Sequence, residues 1–233
     1  MARPTVPPVT LPVLGEDEPF PVRRVYLVGR NYVDHIREMK EGDERDPPFF
    51  FQKPTDSVMP PDSVVDYPPE TSDFQFEVEL VAVIGSEARN VTPEQAPDYV
   101  FGYAVGLDLT RRDRQREACK RGVAWEVGKS FDQSAPCGLI APVSAVGHIV
   151  SGEIKIDVNG ERRQTGDILH MIWKVPEIIA NLSRSYVLKP GDLIYTGTPA
   201  GVGAVVPGDR LDASVAGLPP LTITIGEPRH QAA

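Results

Sequence analysis

The sequence predicts an α+β fold that is mainly β, built as one domain behind an extended N-terminal arm. Three observations predict it. The chain carries 24 prolines, many in pairs such as Pro47-Pro48, Pro60-Pro61 and Pro68-Pro69. Proline fixes φ and removes a backbone donor, so such pairs favour short strands and ordered loops over long helices. Several short segments are apolar or alternate with period two, as strands do. Only residues 168–185 hold a long helical pattern, through Ile172, Val175, Ile178, Ile179 and Leu182. A doubly wound parallel sheet would need more helices of crossover length.

Taken in order, residues 1–20 are Pro-rich and aperiodic and read as the arm; the domain is expected over 21–233. Residues 22–28 read as the first strand, Gly29-Arg30-Asn31-Tyr32 as a tight turn and 33–40 as a short helix. Residues 41–46 are charged and lack large apolar side chains, so 31–46 is a candidate lid. Residues 48–53, with Phe49-Phe50-Phe51, read as a buried strand and 63–67 as another. Residues 76–84 are the clearest strand, alternating acid and apolar residues before a continuously apolar half. Thr92, as an N-cap before Pro93, opens a helix. Residues 99–109 are an apolar strand interrupted by glycine, and 111–121 a polar helix stopped by Gly122. Short strands follow at 139–142, 153–158, 193–196 and within 210–225, with Asn159-Gly160 as a hairpin turn.

The 233 residues are 41% hydrophobic and 24% charged, enough for one ordinary core. The formal net charge of −9 disfavours a nucleic-acid or anionic-membrane partner, since both would be repelled. Cys119 and Cys137 are far apart with no CxxC, which makes neither a disulfide scaffold nor a zinc knuckle. No apolar run of signal-peptide length opens the chain, and none reaches the ~18 residues of a membrane helix, so the cytoplasm is the expected location.

Glu77 and Glu79 lie two apart in the predicted strand, so both point to one face while Val78 and Leu80 take the other. Alone, the pair also fits a wet strand edge. Asp108 shifts the weighting, because it follows the apolar stretch 99–107 where a buried strand would emerge. Three carboxylates make a hard oxygen site suited to Mg2+ or Mn2+. His35 and Glu38 are i,i+3 neighbours on the short helix. A carboxylate beside an imidazole raises its basicity and can make it a base toward water, though a surface pair has the same spacing. Lys53, Arg112 and Lys129 each adjoin an apolar or aromatic run, which suits anion binding in a pocket. The loop Gly197-Thr198-Pro199-Ala200-Gly201-Val202-Gly203 lacks the GK[ST] ending of a P-loop; its amides and Thr198 can face a ligand.

Together these segments resemble the fumarylacetoacetate hydrolase family from Val25 to the C-terminus. The likeness rests on Gly29-Arg30-Asn31-Tyr32 with His35 and Glu38, Lys53-Pro54, Glu77-Val78-Glu79-Leu80, Asp108-Leu109-Thr110, Arg112-Asp113 with Gln115, Lys129-Ser130-Phe131-Asp132, Val158-Asn159-Gly160 and Thr196-Gly197-Thr198-Pro199. The resemblance implies a mixed β-sandwich roll, usually a homodimer. It implies Mg2+ or Mn2+ on Glu77, Glu79 and Asp108, a water-activating dyad of His35 and Glu38 on a lid helix, and Lys129 as a further catalytic group. Substrate contacts are implied for Arg30, Tyr32, Lys53, Arg112, Gln115 and Thr198. One departure is Gly128, where the family often has alanine.

The implied activity is metal-dependent hydrolysis of a carbon–carbon bond in a small-molecule 2,4-dioxo acid. Phe20-Pro21-Val22-Arg23-Arg24 and Leu109-Thr110-Arg111-Arg112-Asp113 resemble the branch that splits fumarylpyruvate late in gentisate breakdown. Other branches act on acylpyruvates, decarboxylate oxaloacetate, or isomerise and decarboxylate dioxo acids. A non-enzymatic binding protein on the same fold would not need the metal acids and the dyad together.

Overall fold

The computed structural model describes residue 3 and residues 5–39 and 46–228. Two sheets carry the fold. The larger has six strands in the order Ala141–Pro142, Val100–Leu107, Val78–Ile84, Asp192–Tyr195, Arg24–Gly29 and Phe49–Lys53. Its neighbours are antiparallel except Asp192–Tyr195 beside Arg24–Gly29, which run parallel. The smaller has five, in the order Glu161–Asp167, Glu153–Val158, Arg210–Val215, Leu221–Gly226 and Val64–Asp66, and only the last pair is parallel.

The continuous apolar run of residues 80–84, within the Val78–Ile84 strand, follows from cover on both faces. Leu80, Ala82 and Ile84 join one core with Ile154, Ile156, Leu211, Leu221 and Ile223 of the smaller sheet. Val81 and Val83 join a second core with Leu11, Val13, Cys137 and Ile140. The N-terminal segment is thus the cover of the larger sheet's other face. Thr10–Leu11 pairs antiparallel with Phe20–Pro21, and Leu14 N donates to the Ile140 carbonyl at 2.8 Å. Strands of the smaller sheet alternate between buried and half-buried positions, with one face toward the core.

Three elements differ from the sequence expectation. Residues 48–53 are not a buried strand: Phe49–Lys53 is the sheet's last strand, and Phe49 is 39% exposed. The helix expected over 168–185 is divided into a 3-10 turn, Ile168–His170, and an α-helix, Val175–Ser185. Asp167 caps the turn by accepting from Leu169 N at 2.7 Å, and Pro176, which lacks an amide proton, fits only the first turn of a helix. Thr92 opens a turn leading to a 3-10 helix, Ala96–Tyr99, because the chain enters the Val100–Leu107 strand immediately afterwards. Arg112–Arg121 forms the expected helix and ends at Gly122. Residues 40–45 of the candidate lid lie outside the described residues; Asn31 and Tyr32, at its start, are buried in the core. Among the described residues no helix is long and apolar enough to cross a membrane.

Candidate active site and metal centre

Antiparallel register brings the acids together. Val78 pairs with Leu107, so the ends of the two strands meet, and Asp108 N donates to the Glu77 carbonyl at 2.9 Å. Val78 and Leu80 point into the main core, which turns Glu77 and Glu79 to the opposite face. Glu77, Glu79 and Asp108 are 5%, 1% and 1% exposed, and each offers a ligand atom within 4.8 Å of the others.

Three cations adjoin these acids. Lys129 Nζ lies 3.0 Å from Glu77 Oε2 and 2.5 Å from Asp108 Oδ2, and donates to Thr110 Oγ1 at 2.7 Å. Lys53 Nζ lies 2.9 Å from Asp108 Oδ1 and donates to the carbonyls of Leu109 and Ser134, both at 2.9 Å. Arg112 donates through Nη2 to Glu77 Oε1, through Nε to Gln75 at 2.8 Å and through Nη1 to Gln115 at 2.6 Å. Burial pushes the Glu77 carboxyl up, but Lys129 and Arg112 outweigh it and hold the group well below the ordinary carboxylate range. Burial lowers the Lys53 ammonium to about 8 against the pull of Asp108.

Glu79 is different. Burial first, then the charges of Asp108 and Glu77, raise its pKa well above the ordinary value. It accepts from the Gly197 amide at 2.7 Å, and among the described residues no cationic side chain pairs with it. A buried carboxylate without a counter-ion is costly. A divalent cation among the three acids removes that cost. An all-oxygen donor set with room for further ligands fits Mg2+ or Mn2+.

The other expected residues fall into two groups. His35, Arg30, Arg112, Gln115, Lys129 and Thr198 line the same pocket as the three acids, with Phe51 and Trp125. His35 Nδ1 is 3.3 Å from Glu38 Oε2, and Glu38 in turn accepts from the Gly201 amide at 3.2 Å. Burial lowers the His35 pKa below its ordinary 6.5, which favours the neutral ring. Tyr32 and Lys53 do not line this pocket. Tyr32 packs in the main core with its hydroxyl unpartnered among the described residues, and Lys53 is spent on Asp108 and two carbonyls. Arg112, 1% exposed and engaged through all three nitrogens, is positioned to hold Glu77; a substrate carboxylate would have to displace a partner.

Sequence reasoning missed the residues that hold these groups in place. Gln75 accepts from Arg112, and its only signal is one amide between Phe74 and Phe76. Asn31 donates to the Thr196 carbonyl at 2.7 Å and accepts from Trp173 N at 2.7 Å, tying the first turn to the loop that starts at Thr196. Gly128 is where its neighbour must pass: a Cβ there would meet Gln115 N at 2.7 Å, so the short helix Glu126–Lys129 packs directly on the helix bearing Arg112 and Gln115.

Residues 24–226 match the family model described as fumarylacetoacetate (FAA) hydrolase C-terminal. The fumarylpyruvate hydrolase of Ralstonia sp is 43% identical over 178 residues, covering 76% of this chain and 92% of that protein. The mitochondrial oxaloacetate tautomerase of Homo sapiens is 38% identical over 208 residues, covering 89% and 94%. Among solved structures, fumarylpyruvate hydrolase from Pseudomonas aeruginosa in complex with Mn2+ and pyruvate superposes with a TM-score of 0.94 at 47% identity, over 97% of this chain and 100% of that one. With the fold, the register of the acids and the matched span in agreement, the chain belongs to the fumarylacetoacetate hydrolase family of carbon–carbon bond hydrolases.

Proposed function

We propose that this protein hydrolyses fumarylpyruvate to fumarate and pyruvate, using Mg2+ or Mn2+ held by Glu77, Glu79 and Asp108. The observation that carries the reading is the buried acid cluster of Glu77, Glu79 and Asp108 sharing one pocket with His35. Both the Ralstonia relative and the Mn2+- and pyruvate-bound structure bear that activity in their names. Charge supports it further. Three buried acids are balanced by Lys53, Lys129 and Arg112, so a divalent cation leaves the site two charges positive, which matches a dianionic dioxo acid.

When bound, the cation supplies positive charge that orients and polarises the 2-oxo acid end. His35 takes a proton from water. Its Nδ1–H faces Glu38, which leaves the lone pair of Nε2 for the pocket. Hydroxide attacks the 4-carbonyl carbon, and Lys129 offsets the negative charge that develops on its oxygen. The C3–C4 bond then breaks, its electrons pass to the pyruvate fragment, and protonation of that fragment releases pyruvate. Gln115 and Thr198 orient the substrate, and Arg30 stands at the pocket wall. The same reading takes the protein as a homodimer, and analytical ultracentrifugation should give twice the chain mass; a monomer would contradict it.

The test is His35→Ala. Hydrolysis should fall at least ~100-fold, the scale of general-base catalysis, while Mn2+ affinity stays unchanged. Loss of Mn2+ binding in that variant would sink the division of roles. The second reading, oxaloacetate tautomerisation or decarboxylation, is supported by the human relative's name. Decarboxylation needs no activated water, so that activity would survive the same substitution.

A further inference from the structure

We propose that Gln164 is a positioning residue that fixes the Thr198 hydroxyl as a hydrogen-bond donor toward an anionic ligand; this rests on the reading of the pocket as the 2-oxo acid site. Gln164 lies in the Glu161–Asp167 strand and is 1% exposed. Two backbone contacts set which way its amide points. Val78 N, which can only donate, lies 3.0 Å from Oε1. The Pro199 carbonyl, which can only accept, lies 2.7 Å from Nε2. The second N–H of that amide therefore goes to Thr198 Oγ1, at 2.9 Å. Thr198 has accepted, so its own proton is left to donate. Among the described residues no acceptor takes it, and Thr198 lines the pocket of the three acids.

The arrangement has a consequence for affinity. A threonine hydroxyl normally rotates between donor and acceptor roles, and an anion benefits from the donor role alone. Gln164 selects that role in advance. It also fastens the Thr198 loop to Val78, the residue between Glu77 and Glu79, so hydroxyl and acids keep a fixed relation.

Gln164→Glu preserves the shape but not the protons. Charged, the new side chain has none for Thr198; protonated, it has one, and the Pro199 carbonyl competes for it. Thr198 then donates to residue 164 and turns its proton from the pocket. The experiment measures pyruvate binding to Mn2+-saturated protein by calorimetry, which does not depend on which dioxo acid is hydrolysed. Gln164→Glu and Thr198→Val should each weaken pyruvate roughly 10-fold, the worth of one hydrogen bond to a charged group. Together they should lose little more than either alone, with Mn2+ affinity unchanged and Thr198→Ser close to the parent protein. Losses that multiply in the double variant, or a Gln164→Glu protein that binds pyruvate normally, would overturn the proposal. If that variant does not fold, Gln164→Met enters the same cycle: it should lose less, and again without multiplying.

Discussion

Glu79 and Glu77 are chemically identical, two residues apart and equally enclosed, yet their environments drive them in opposite directions. Lys129 and Arg112 reach Glu77, while Glu79 has a backbone amide and two acidic neighbours. The Glu79 pKa in the metal-free fold lies above its unfolded value. Between the two values the folded state holds a proton that the unfolded state has lost, so stability falls as pH rises through that window. A melting-temperature series against pH should show this decline above the ordinary carboxylate range. Mn2+ should reverse it, and Glu79→Gln should flatten it. His35 gives a second pH prediction. Its lowered pKa keeps the ring neutral until the solution is more acid than 6.5, so the acid limb of kcat/KM should lie below that value. An acid limb above 6.5 would mean that another group is the base.

Among the elements, the N-terminal segment shows how far a sequence can be read. It is expected as an arm, and its Pro-rich composition gives no sign that Leu11 and Val13 are core residues, 0% and 4% exposed. Leu11→Ala should cost about 2–5 kcal/mol in urea unfolding, as for other fully buried leucines. A cost within the error of the measurement would show that the sheet face does not need this cover. The acid strand was legible because period two assigns Glu77 and Glu79 to one face whatever the rest of the fold does. Asp108 was legible from its place at the end of an apolar run. The helix boundary at Val175 was less so, because apolar spacing continues through Ile172 and only Pro176 and Asp167 mark the break. Gln75, Asn31 and Gln164 were invisible for another reason. An isolated amide has no periodic signature, and its partners come from distant segments. The Gly197-Thr198 loop belongs to this scale too. Gly197 has φ +93 and a Cβ there would meet Asn31 Cβ at 2.6 Å. Gly197→Ala should therefore shift the amide that serves Glu79 and weaken Mn2+ binding; an unchanged Mn2+ affinity would uncouple the loop from the metal acids.

At the scale of the whole molecule, the fold stacks two sheets so that strand ends of the larger one open into a single pocket. A chain of net charge −9 concentrates Lys53, Lys129 and Arg112 at that point. Sheet order was not readable from sequence alone, since the parallel pairing of Arg24–Gly29 with Asp192–Tyr195 joins strands from opposite ends of the chain. The family resemblance supplied what periodicity could not. The central claim is that this charge arrangement, with a divalent cation, serves a dianionic 2,4-dioxo acid. It is tested most directly by following the ultraviolet absorbance of fumarylpyruvate, acetylpyruvate and oxaloacetate with Mg2+ or Mn2+, with a chelator as control and the products identified. The account predicts metal-dependent loss of fumarylpyruvate with fumarate and pyruvate formed, and much slower turnover of the other two. Preference for oxaloacetate, or turnover of fumarylpyruvate that persists after the metal is removed, would contradict it.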